Sequence, residues 1–222
     1  VCELGKNLDK SKKLHRSGTE YALKVLKRFS EILNVSKITN LKIIATAVLR
    51  EATDTKPFIN EVEKLFKTKI NILSGEEEAE CSAEGVKIGF ENVNGLVADL
   101  GGGSLELARV ENNIVTNKTS LPVGVLRLLN NPIVKKRNLA KYIKKLLREE
   151  KWLSKKKFNN LYLVGGTWRA LFKLHLFQNN HPVHIIHQYS IDNNVLSKFV
   201  EKISSFNKSK LKTVEYISKS RT

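Results

Sequence analysis

The stretch Val97–Leu107, VADLGGGSLEL, decides how the chain is read. Apolar residues lead to an acid, Asp99. Three glycines and Ser104 follow, and a second apolar run carries Glu106. Glycine lacks a Cβ and tolerates positive φ, so Gly101, Gly102 and Gly103 let backbone N–H groups converge on an anion, with the Ser104 hydroxyl as a further donor. Asp99 cannot meet a phosphate directly, because like charges repel. It fits there if it holds a divalent cation or orients a water. The same glycines also suit the turn of a plain β-hairpin, and the G-K-[ST] ending of a P-loop is absent.

Outward from this stretch, short apolar runs separated by GGG and ENN predict a β-meander through Gly124. Upstream, SGTEYALKVLKRFSEILN (17–34) has apolar residues at helical spacing, with Ser17 or Thr19 as a cap. LKIIATAVL (41–49) begins as a buried strand and turns into a helical stretch interrupted near Pro57. KINILSG (69–75) is a strand followed by a helix. Downstream come a lysine-rich amphipathic helix over 138–158, a strand at NLYLVGG (160–166), a helix at TWRALFKLHLF, a strand or turn at HPVHIIH, and a basic, helix-rich end. Strands alternating with helices predict an α/β protein. The order of elements suggests two lobes meeting near residues 90–95, with no internal repeat.

At 222 residues with 41% hydrophobic content, the chain is long enough for a sizeable core. No apolar run approaches the roughly 20 residues of a membrane span. Two cysteines, Cys2 and Cys81, make no disulfide framework and point to a cytoplasmic setting. The net charge of +17 attracts polyanions, yet lysine spread among many Asn and Ile residues also fits a compositional bias. Charge is the sole support for a nucleic-acid partner, since no recognition motif or aromatic interleaving accompanies it. The histidines at 175, 181, 184 and 187 form no metal pattern, so zinc is not expected.

Three further junctions carry chemistry. ATAVLRE sets Thr46 and Arg50 four residues apart where a strand hands over to a helix; Arg50 is either a bidentate phosphate donor or a solvated arginine. LSGEEEAE puts acids in a first helical turn, where they offset the dipole with Ser74 as a cap, and one of them can serve instead as a general base. LVGGTWRAL ends a strand in Gly165 and Gly166, suited either to a phosphate or to close helix–strand packing.

In order, ATAVLREA, ILSGEEEAE, VADLGGGSLEL, LPVGVLRL and LVGGTWRAL resemble the exopolyphosphatase/guanosine pentaphosphate phosphohydrolase (Ppx/GppA) family, from near LGKNLD to HPVHIIHQY. The resemblance implies two actin-like, ribonuclease-H-like α/β lobes, residues 1–93 and 94–222, with the site in the cleft between them. It implies Mg2+-dependent hydrolysis of a terminal phosphoanhydride. Glu78 would be the general base, Arg50 and Thr46 would face the phosphate, and Asp99 with Glu106 would serve the magnesium or the water. Gly101, Gly102, Gly103 and Ser104 would cradle phosphate, and Gly165 and Gly166 would line the far lobe. The expected substrate is inorganic polyphosphate or guanosine pentaphosphate; a homodimer is allowed, and a membrane partner is not expected. An inactive polyphosphate- or alarmone-binding fragment is the rival reading. The family's earlier Asp-x-Gly-Ser-Asn-Ser phosphate loop does not occur in these residues, and there is no methionine. The expectation is therefore a fragment or degenerate form with an incomplete first lobe and little or no activity on its own.

Overall fold

The computed structural model describes residues 2–130, 138–154 and 157–205. Two sheets organise it. The first is a parallel pair, β1 (Ile43–Ala45) and β2 (Ile70–Ile72). It packs with α2 (Arg16–Val35), α3 (Ala47–Glu51) and α4 (Lys56–Phe66) around Ala22, Leu49, Phe58 and Val62. The α2 cap differs from expectation. His15 is extended, and its Nδ1 accepts from Gly18 N at 3.3 Å, whereas the Ser17 hydroxyl bonds that same ring nitrogen and Thr19 Oγ1 donates back to His15 O. The break between α3 and α4 falls at 52–55, and Pro57 lies in the first turn of α4, where its missing N–H costs nothing.

The second sheet has the order β5-β4-β3-β6, built from β3 (Gly95–Leu100), β4 (Leu105–Glu111), β5 (Ile114–Leu121) and β6 (Leu161–Val164). β3, β4 and β5 form the expected antiparallel meander, and β6 runs parallel to β3. Residues alternate between faces along a strand. Val97, Ala108 and Val110 meet Ala79 and Ala83 of α5 (Gly75–Gly89), and the opposite face packs Ala98, Leu107 and Leu121 beneath α7 (Leu139–Glu149) and α8 (Lys151–Ser154). The predicted 138–158 helix thus divides at Glu150, and residues 155–156 lie outside the described ones. α6 (Val125–Asn130) follows the meander; α9 (Gly166–Gln178) follows β6 and packs its Leu174 on Phe199 of α10 (Asn193–Ser204). HPVHIIH contains no strand. The basic end beyond residue 205 lies outside the described residues.

α5 precedes the expected 93/94 division, yet it lies on the second sheet. Gly75, at its start, comes so close to β5 that a Cβ there would overlap Ser120. That approach carries the acids of α5 to the end of the meander.

Candidate active site

Asp99 and Glu106 are direct partners in the β3–β4 register. Paired residues of an antiparallel ladder share a face, and their parity with Val97 and Ala108 makes it the α5 face. Ser82, one helical turn after Glu78, donates to Asp99 Oδ2 at 2.7 Å, and Ser120 on β5 donates to Glu106 Oε1 at 2.8 Å. Glu106 is 4% exposed. Burial first, then the nearby Glu78 and Asp99 carboxylates, push its carboxyl above the usual range, against the pull of the Ser104 and Ser120 hydroxyls. Three carboxylates are therefore near enough to feel one another.

Glu78 is held by Arg50, whose Nη1 donates to Glu78 Oε2 at 2.7 Å and also to Leu73 O. The pair is shielded, at 26% and 14% side-chain exposure for Arg50 and Glu78. Among the described residues, Arg50 Nε and Nη2 donate no hydrogen bond, which leaves three N–H donors of the guanidinium fork for a ligand. Ser74 caps α5 as expected, in a full capping box with Glu77: Ser74 N donates to Glu77 Oε2 at 2.7 Å and Glu77 N to Ser74 Oγ at 3.2 Å. The box occupies Glu77 and leaves Glu78 to face Arg50.

The glycines are explained by proximity. Gly101, Gly102 and Gly103 all have negative φ, so the left-handed conformation is not what requires them. Gly124 of LPVG lies directly on them, and a Cβ there would overlap the backbone of Gly102, Gly103 and Ser104. Gly101 N donates to Ser104 O at 3.0 Å, closing the turn. The loop also approaches the first half of the chain: a Cβ on Gly103 would sit 3.5 Å from Ala47 Cβ, next to Thr46 at the start of α3. Thr46 makes no side-chain cap bond. Gly165 is different: at φ +105° its backbone is left-handed, and a Cβ would meet Asp99 Oδ1 at 2.8 Å. Gly165, and with it the start of α9 at Gly166, is thereby brought beside Asp99.

All the residues singled out from sequence thus fall around the ends of β1, β3 and β6. Ser82, Ser120, Gly124 and the Glu51–Arg127 ion pair were not anticipated. The i, i+4 spacing of Ser82 from Glu78 and the LPVG stretch after the meander are the signals that carried them.

The arrangement defines a mixed α/β protein with a carboxylate–arginine cluster at the strand ends. Its fold is similar to the crystal structure of the Aquifex aeolicus Ppx/GppA family member (19% identity, 100% of this chain and 74% of that one, TM-score 0.75). It is also similar to an exopolyphosphatase from Cytophaga hutchinsonii (19% identity, 98% and 74% covered, TM-score 0.83). The Ppx/GppA phosphatase family model matches residues 2–222, and the chain belongs to that family. Among curated proteins it is 37% identical over 129 residues to a guanosine-5'-triphosphate,3'-diphosphate pyrophosphatase of Aeromonas hydrophila, covering 58% of this chain and 26% of that protein. It is 30% identical to a bifunctional 3-dehydroquinate synthase/phosphatase of Fusobacterium nucleatum, covering 92% of this chain and 33% of that one. The chain therefore spans about a quarter to a third of the length of the curated relatives it matches.

Proposed function

We propose that this chain carries the catalytic cleft of a phosphoanhydride hydrolase that removes the terminal phosphate of inorganic polyphosphate. The observation that carries the reading is the Arg50–Glu78 pair beside the Asp99–Glu106 pair and the triple-glycine turn. Phosphoryl transfer requires positioning and charge neutralisation, with a carboxylate to orient or deprotonate the water. In this reading the free donors of Arg50 and the amides of Gly102–Ser104 grip the terminal phosphate beside Thr46, while the Gly101 amide stays on Ser104 O and closes the turn. Glu78, fixed by Arg50, accepts the proton of the attacking water. Gly165, packed against Asp99, and Gly166 would line the far side of the cleft.

Among the described residues no cluster of three or more metal-binding side chains occurs. A pair of opposed carboxylates nevertheless fits Mg2+, which usually keeps several waters and binds through one or two carboxylates plus substrate phosphates. Asp99 and Glu106 would hold it, each oriented by a serine, and the ion when bound would neutralise charge on the phosphates.

The guanosine pentaphosphate reading has its own support in the 37% identity to a pyrophosphatase named for that nucleotide. Residues 1–93 and 94–222 are read as the two lobes, with α5 crossing onto the second. A cytoplasmic location accords with the absence, among the described residues, of any helix long and apolar enough to span a membrane. A homodimer belongs to the same reading by resemblance alone.

Phosphate release by the natural full-length protein with Mg2+ tests this. Release from long-chain polyphosphate is expected. A higher kcat/KM on guanosine pentaphosphate would replace the substrate, and release from neither would reject the reading.

A further inference from the structure

Helix α3 carries two consecutive charged side chains, and successive residues of a helix project about 100° apart. Arg50 goes to Glu78 and Leu73 O on the α5 side, and Glu51 accepts an ion-paired hydrogen bond from Arg127 Nη2 on α6. α6 is itself fastened to the glycine turn. Val125 N and Leu126 N donate to Gly101 O and Gly102 O at 3.1 and 2.9 Å, and Gly124 lies against Gly102–Ser104. The glycine turn in turn lies close to Ala47 of α3, near enough that a Cβ on Gly103 would meet it. The Glu51–Arg127 pair therefore closes a ring running from α3 to the glycine turn, to α6 and back to α3. Both side chains are partly buried, so water screens their attraction less than at an open surface.

We propose that Glu51–Arg127 is a positioning strap for the phosphate cleft. It holds the helix bearing Arg50 at a fixed separation from Gly101–Ser104, and it cancels an acid next in sequence to Arg50 that would otherwise repel an incoming polyanion. The strap rests on the phosphohydrolase reading for its purpose, but its contact is independent of that reading. Neither residue touches substrate; both act through Arg50 and the turn.

The test compares Glu51→Gln, Arg127→Gln and the double variant in the natural full-length protein with Mg2+. The readouts are kcat and KM for tripolyphosphate, Tm, and amide exchange of residues 101–104. Arg127→Gln is expected to raise KM roughly ten-fold while kcat changes less than about three-fold. Exchange at the glycine turn should accelerate. The double variant should recover part of the KM, because the unpaired acid is then gone. Where Arg127→Gln does not fold, Arg127→Lys, which keeps the charge and loses the planar fork, carries the same comparison. Parent-like KM together with parent-like exchange overturns the strap, as does a fall in Tm with both of those unmoved. A parent protein that neither binds nor hydrolyses tripolyphosphate counts against the functional reading instead, and exchange at the turn then decides the strap alone.

Discussion

Glu78 lies near Glu106, whose carboxyl is pushed up by burial first and then by the Glu78 and Asp99 charges, and it is held by one cation, Arg50. Each acid is steadied by a different partner. The partners of Asp99 and Glu106 are serines, Ser82 and Ser120, of which Ser82 is marked in the sequence only by its i, i+4 spacing from Glu78 and Ser120 by nothing. That is why the four charged residues were legible from their motifs and the serines were not: a motif fixes what reacts, while an orienting hydroxyl can arrive from any element that packs nearby. Ser82→Ala releases Asp99 Oδ2, and since outer-shell partners of a metal site are worth roughly 10–100-fold in affinity, the Mg2+ concentration for half-maximal phosphate release should rise by about ten-fold or more. A magnesium titration of initial rates checks it. Gly165→Ala asks for a Cβ 2.8 Å from Asp99 Oδ1 on a left-handed backbone. It should cost about 1–3 kcal/mol of stability by thermal melts and displace Asp99 as well.

At the scale of elements, periodicity and capping chemistry predicted most of what formed. Ser74 was foreseen as the cap of α5, though not its reciprocal box with Glu77, and Ser74→Ala should cost about 1 kcal/mol, read in denaturant unfolding. The α2 cap was misplaced because hydroxyls outrank an imidazole as expected caps, and here the extended His15 stands in the capping position instead. The lysine-rich pattern over 138–158 did not reveal the break at Glu150, which accepts from Trp152 Nε1 and Thr119 Oγ1 where the chain turns. The α9–α10 pair adds a pH dependence. His175 is buried against Phe199 and bonded to the Tyr189 hydroxyl, and burial, with some help from His181, holds its imidazole below the ordinary 6.5. The folded state thus prefers it neutral. The unfolded chain takes up the proton first as pH falls below about 6.5, so stability is full above that value and declines below it. Melting between about pH 7 and 5 should show a shallower decline for His175→Gln than for the parent.

At the scale of the whole molecule, two sheets with their own helices meet where α3 approaches the glycine turn and α5 lies across the second sheet. The alternation of elements made the α/β class and the meander legible. That α5 would cross onto the second sheet was not, because its small buried face of Ala79 and Ala83 matches either partner, and the close Gly75–Ser120 approach, the Ser82–Asp99 hydrogen bond and the Glu80–Lys118 ion pair choose between them. The +17 charge gives a long polyanion more counterions to displace than a short one. Added salt should therefore raise KM more steeply for long-chain polyphosphate than for tripolyphosphate. The central claim, that one carboxylate fixed by Arg50 activates the attacking water beside the glycine turn, is tested most directly by Glu78→Gln in the natural full-length protein. Tripolyphosphate binding and phosphate release are measured side by side. The account predicts binding retained and release lowered by roughly 100-fold or more; release at the parent rate would contradict it.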